Sequence, residues 1–192
     1  MVWCIMARTT AAVAAHVPTA ALVSMVMSYV CPPRTRKLAK AAENGFYELV
    51  MDIVGRGIRS IDVGIAGACR GGHFAIVTYL AGTNAGRWGV AARYAAQYNN
   101  MGIIDLMESP NWKCVLAGAC AGGHMGLIDV AMARGATNFG SGLIRACENG
   151  HLEVAKLMIA KGATCINDAM YGARDNGHDD LVDLMIEHGA ED

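Results

Sequence analysis

Six short phrases recur along this 192-residue chain, each built around a turn residue that is followed by an apolar run. AAENGFYELVMDIVGRG (41–57), ACRGGHFAIVTYLAGTN (68–84), ACAGGHMGLIDVAMARG (119–135), ACENGHLEVAKLMIAKG (146–162) and ARDNGHDDLVDLMIEHG (173–189) align without gaps; AAQYNNMGIIDLMESPN (95–111) is a degenerate sixth copy. The anchors are Gly45, Gly72, Asn99, Gly123, Gly150 and Gly177, separated by 27, 27, 24, 27 and 27 residues. A fixed period of this length marks a repeat architecture, in which each unit leans on its neighbours instead of enclosing its own core.

Each copy has the pattern of two helices. Four residues before the anchor stands alanine in every copy (Ala41, Ala68, Ala95, Ala119, Ala146, Ala173), where a close helix approach leaves room for a methyl only. Three residues earlier, one turn back on the same face, come Leu38, Ile65, Ala92, Leu116, Leu143 and Met170. The anchor glycine ends the first helix, because a left-handed backbone costs glycine little. A second helix follows with a broad apolar stripe, as in Val154, Ala155, Leu157, Met158 and Ile159, and a second glycine (Gly57, Gly135, Gly162, Gly189) stops it. The expected fold is all-α: a solenoid of about six helix-turn-helix units spanning 34–192, behind an N-terminal helix within 1–33. Asp179, Asp180, Asp183 and Glu187 give the last second helix the polar outer face that the end of an array requires.

Composition narrows the function. With 54% apolar and 17% charged residues the chain is able to bury a core, and a net charge of −1 argues against binding nucleic acid through bulk charge. The charge is unevenly placed, with five basic and no acidic residues in 1–42 against eight acids and only Arg174 in 168–192. Seven cysteines without a CxxC pair point to a reduced, cytoplasmic protein rather than a disulfide-stapled one. Cys69, Cys120 and Cys147 each stand four residues before a histidine (His73, His124, His151), which superficially suggests metal ligands. The cysteines, however, alternate with alanine in one column, as small core residues do, and the histidines lie beyond the helix-ending glycine. Zinc needs ligands at about 2.0–2.3 Å, whereas stacked helices stand about 10 Å apart. No nucleophile elbow, P-loop or HExxH motif occurs, so no enzyme activity, metal or cofactor is expected.

ENGHLEVAKLMIAKGA (148–163) and DNGHDDLVDLMIEHGA (175–190) resemble the second half of an ankyrin repeat. The departure is length: an ankyrin repeat runs about 33 residues, with a β-turn finger and a TPLHxA phrase that are missing here. The chain is thus similar to the shortened, divergent ankyrin repeats of large DNA viruses of amoebae, and the resemblance covers roughly 36–190. It implies a non-catalytic scaffold that binds a host or viral protein in the host cytoplasm, and turn histidines that brace the inter-helix turn by hydrogen bonding.

Segment 1–33 stands outside the repeat. VPTAALVSMVMSYV (17–30) predicts a helix starting near Pro18 that caps the open end of the array. The same residues resemble the opening helix of an F-box, which implies a ubiquitin-ligase substrate adaptor with a reduced F-box over 17–38. A third alternative is a membrane tether over 11–30, against which stand His16, Pro18 and an unbroken apolar run shorter than the ~20 residues that span a bilayer.

In such an array the core columns stay uniform and the binding columns vary. Two residues before the anchor stand Glu43, Arg70, Gln97, Ala121, Glu148 and Asp175; five before stand Lys40, Gly67, Tyr94, Gly118, Arg145 and Gly172. These columns are expected to be exposed and to line a concave partner surface, basic at Lys40 and Arg70, aromatic at Tyr94 and Tyr98, acidic towards Asp175. The irregular third copy gathers Arg87, Trp88, Arg93, Tyr94, Tyr98 and Trp112, the residue types of an interface hot spot. The expected partner-binding set is therefore Lys40, Arg70, Arg87, Trp88, Arg93, Tyr94, Gln97, Tyr98, Arg145, Glu148 and Asp175, with Trp112 filling a gap where the stack changes twist.

Overall fold

The computed structural model describes residues 34–191 apart from 59 and 83–86. The readings placed on the N-terminal segment (cap, reduced F-box, membrane tether) fall almost wholly outside the described residues. Those described form twelve α-helices and no strand. They are α1 (Arg34–Glu43), α2 (Tyr47–Gly55), α3 (Ile61–Gly71), α4 (Phe74–Gly82), α5 (Arg87–Gln97), α6 (Met101–Asp105), α7 (Trp112–Gly122), α8 (Met125–Ala133), α9 (Phe139–Glu148), α10 (Leu152–Ala160), α11 (Ile166–Asp175) and α12 (Asp179–Glu187). Consecutive helices make one pair per sequence copy, and the fold is an all-α helical repeat.

The physical reasons lie in the columns. Ala41, Ala68, Ala95, Ala119, Ala146 and Ala173 are all fully buried, as are Leu38, Ile65, Ala92, Leu116, Leu143 and Met170 one turn earlier. Burying a Leu or Ile side chain stabilises by about 1.5–3 kcal/mol, so one such residue per unit is a substantial share of each unit's stability. The five anchor glycines have φ between 74° and 79°, and Asn99 takes the same role at φ 53°. With the chain turned left-handed there, the next amide N–H points back along the helix. Phe46, His73, Asn100, His124, His151 and His178 donate to the carbonyl of the conserved-position alanine of their own copy at 2.7–3.0 Å. That closure satisfies a carbonyl the helix end would otherwise leave open.

The described helices group into two compact units that divide between Leu80 and Ala81. In the first, α1 packs on α3, and α1 on α2. In the second, the first helices α5, α7, α9 and α11 pack side by side in chain order, each carrying its second helix. The third copy is cut short: α6 has five residues where α8, α10 and α12 have nine. Its last turn is lost because Asn111 already caps α7, its Oδ1 accepting from the amides of Lys113 and Cys114 at 3.1 and 3.4 Å. Between α8 and α9 and between α10 and α11 only five residues intervene, too few for a β-hairpin finger, and Ala136 and Ala163 are buried within them. On α12, Asp179, Asp180, Asp183 and Glu187 are exposed while Leu181 and Met185 face inward.

Candidate functional site

Helix-to-helix spacing in this array is set by two kinds of joint. Gly67 and Gly71 of α3 lie directly against α1: a Cβ on either would collide with the carbonyl oxygens of Ala39 and Glu43. Gly118 and Gly122 of α7 meet the carbonyl oxygens of Arg93 and Gln97 on α5 in the same way. These are backbone-to-backbone joints. The equivalent positions are Arg145 of α9 and Asn149 just after it, so no such glycine pair stands there; instead Gly142 of α9 lies over the side chains of Cys120 on α7 and Met158 on α10. Gly67 and Gly118 are therefore buried, as is Ala121, and this corrects the expectation that every member of those columns is exposed.

At three of the copies a histidine adds a second tie to the copy before it. His73 Nε2 lies 3.1 Å from the Glu43 carbonyl oxygen, His124 Nε2 2.9 Å from that of Gln97, and His151 Nε2 3.0 Å from that of Ala121. Each ring donates to the end of the preceding copy's first helix. The histidines thus tie copy to copy rather than bracing the turn of their own. The imidazoles of His73 and His151 also cover the preceding anchor: a Cβ at Gly45 would lie 2.7 Å from His73 Cε1, and one at Gly123 2.7 Å from His151 Nδ1.

Across joints of both kinds the surface forms a groove. Arg93, Tyr94, Gln97, Ala121, Arg145, Glu148, Asn149, Gly172, Asp175 and Asn176 line one open groove of about 410 Å³ running across α5, α7, α9 and α11. The structure thus brings together six of the residues singled out in the sequence: Arg93, Tyr94, Gln97, Arg145, Glu148 and Asp175. The Arg93 guanidinium lies 4.6 Å from the Tyr94 ring centre, and Tyr94 stacks on Tyr98 with centroids 6.5 Å apart and planes 12° from parallel. Arg145 Nη1 and Glu148 Oε2 form an ion pair at 2.7 Å in the middle of the groove.

The remaining singled-out residues lie elsewhere. Lys40 and Arg70 belong to the first unit, where Arg70 reaches Glu43 at 3.6 Å. Arg87 and Trp88 occupy the first turn of α5, and at about 1.5 Å rise per residue they stand roughly 15 Å along the helix from Tyr98. Trp112 begins α7 and packs within its own copy under the guanidinium of Arg134, 4.9 Å from the ring centre. The aromatic and arginine residues of the third copy are therefore not one patch; helix rise separates them into two.

Sequence reasoning missed Asn149 and Asn176. Each donates its Nδ2 to the carbonyl four residues back, Arg145 at 2.9 Å and Gly172 at 2.8 Å, as Asn44 does to Lys40 at 2.7 Å. Their place before the anchor glycine disguises them as helix terminators, which they also are. The only available signal was their recurrence at one column in the copies that lack the double glycine.

The cysteines of the helix-facing column are core residues. Cys69, Cys120 and Cys147 are fully buried, and burial pushes their thiols up to about 12, about 12 and about 11. Neighbouring Glu148 adds to the rise at Cys147. Cys120 Sγ donates to Met158 Sδ at 3.7 Å. Among the described residues no group of three His, Cys, Asp or Glu side chains is placed to hold a metal ion, and no helix is long and apolar enough to cross a membrane.

No protein-family model matches this chain, and no curated protein does. Among solved structures, the ankyrin repeat domain of human ASB11 is similar at 16% sequence identity with a TM-score of 0.42, covering 80% of this chain and 84% of that one.

Proposed function

We propose that the chain is a non-catalytic protein-binding module that holds a protein partner in the groove across α5, α7, α9 and α11. One observation carries this reading. The groove is lined by columns that change from copy to copy, and it stands on a frame of columns that do not. Gln97, Ala121, Glu148 and Asp175 share one position and differ in size and charge, whereas the alanine column four residues before the anchor is buried and invariant. A scaffold that holds its core constant and varies one face serves recognition. The resemblance of 148–190 to ankyrin repeats supports the same function, and its likeness to the shortened repeats of large DNA viruses supports a role in host cytoplasm. The free thiols of Cys69, Cys114, Cys120, Cys147 and Cys165 fit such a reducing compartment.

The test is capture from a eukaryotic cell lysate by the full chain and by Asn149→Trp, in which an indole on an exposed groove residue blocks the middle of the groove. A protein recovered by the native chain and lost by the variant, at equal melting temperature, is the expected result. Capture that is indifferent to the indole refutes the groove as the binding surface. Ubiquitin-ligase subunits recovered whether or not the groove is blocked would instead favour the adaptor reading through residues 17–38.

A further inference from the structure

Two charges in the groove have no counter-charge. Arg145 and Glu148 neutralise each other at 2.7 Å. Arg93, by contrast, rests on the Tyr94 ring with no carboxylate partner among the described residues, and Asp175 has no cationic partner among them. The field of the Arg93 guanidinium reaches as far as Cys114, where it opposes the effect of burial on the thiol. One end of the groove is therefore positive and the other negative, with a neutralised pair between.

The floor separating these charges is shaped for a main chain. Ala121 and Gly172 put almost no side chain into it. Asn149 and Asn176 each give one Nδ2 proton to a helix carbonyl and keep Oδ1 as an acceptor, and Gln97 adds a third amide. No stripe of apolar pockets is present of the kind an amphipathic helix would need for its anchors, whereas amide acceptors suit the N–H groups of an extended chain. Arg93 and Asp175 stand on α5 and α11, three helix spacings apart, which at about 8–10 Å each is roughly 24–30 Å. An extended chain covers about 3.3 Å per residue, so that distance corresponds to about seven to nine residues.

We infer that the groove takes an extended peptide segment with an acidic side chain at one end and a basic side chain about seven to nine residues away at the other, seated on Arg93 and Asp175 respectively. This rests on the reading of the groove as the binding surface. Charge complementarity sets the register, and the small floor admits the backbone.

The experiment is phage display of randomised twelve-residue peptides on the immobilised full chain, with Asn149→Trp, Arg93→Glu and Asp175→Lys as parallel baits. Expected is enrichment of peptides with an acid and a base at that separation, lost on Asn149→Trp. One such peptide, made synthetically, should bind Arg93→Glu about tenfold more weakly and recover when its acid is replaced by lysine. Asp175→Lys should show the mirror-image loss at the basic end. Groove-dependent peptides without the charge pair overturn this inference and leave the groove reading intact. Peptides enriched equally on Asn149→Trp overturn both. No enrichment at all overturns the claim that a short extended segment is the ligand. Melting curves of the four baits separate lost recognition from lost folding.

Discussion

The joint between α5 and α7 and the joint between α7 and α9 join the same kind of helix over the same alanine column, yet they are built differently. At the first, Gly118 and Gly122 let two backbones touch. At the second, Arg145 and Asn149 stand at the corresponding positions, and the contact passes through Cys120, Gly142 and Met158. The lesson is a division of labour inside one repeat. Glycine at both positions lets backbone meet backbone, and the residues at both positions of the next joint, Arg145 and Asn149, add side chains to the groove lining. The groove runs over both joints, from Arg93, Tyr94 and Gln97 on α5 to Asp175 on α11.

The sharpest way to break this comparison is a methyl group. Gly118→Ala should cost about 3 kcal/mol or more in urea unfolding, because its Cβ falls on the Arg93 carbonyl oxygen and the overpacking must outweigh a gain of about 1 kcal/mol in helix propensity. Arg145→Ala, at the matching position of the next joint, should cost less than about 1 kcal/mol. Equal losses would mean that the two joints are not different in kind.

Alkaline titration asks whether the cores beneath the joints are alike. Cys69, in the first unit, and Cys120, beneath the side-chain joint, both have thiols raised from 9.0 to about 12 by burial. A raised folded-state value leaves stability intact below the unfolded value and removes it as pH climbs through the folded one. Stability should therefore fall between pH 9 and about 12, by at most about 1.4 kcal/mol per pH unit for each thiol. Cys120→Ala should flatten that fall in denaturant midpoints measured across the range; an unchanged slope would mean the thiol is not held in the core.

The histidine ties sharpen the comparison from the other side. His124 crosses the glycine joint and His151 the side-chain joint, with nearly the same geometry. Replacing either with alanine should cost about 1 kcal/mol, and the two losses should match if the tie is independent of how the helices meet. The smallest effect is expected in the groove itself. A double-mutant cycle on Arg145 and Glu148, both substantially exposed, should give a coupling of about 0.3–0.5 kcal/mol by chemical denaturation. A coupling several times larger would show the pair to be a structural clamp and not part of an open surface.

Much of the framework was legible in the residues. Alanine recurring four before the anchor, with a large apolar residue one turn earlier, states which face is buried, because side-chain size reports the space available. The left-handed turns followed from glycine, and Asn99 is the one non-glycine residue type well suited to stand in. What was illegible is equally physical. Gly67 and Gly118 have no side chain to declare a face, so they passed as members of exposed columns, although GACRG and GACAG, with glycines four apart, were the trace of a backbone seam. The destination of the histidines was hidden because the acceptor is a main-chain carbonyl, which no sequence letter marks. For the groove, Tyr94, Gln97, Arg145, Glu148 and Asp175 were found by the variability of their columns and Arg93 by its residue type, as were Arg87 and Trp88, which helix rise carries away from it because adjacency along a helix is not adjacency in space.

The carbonyls that receive the histidines belong to Glu43, Gln97 and Ala121, three unlike residues in the very column whose side chains form the variable surface. Assembly is thus read from an atom common to every amino acid, while the side chains on the same residues differ. A substitution at Glu43 or Gln97 changes the side chain and keeps the carbonyl that receives the histidine. Side chains at such partly exposed positions can change one at a time while the stack beneath them stays the same.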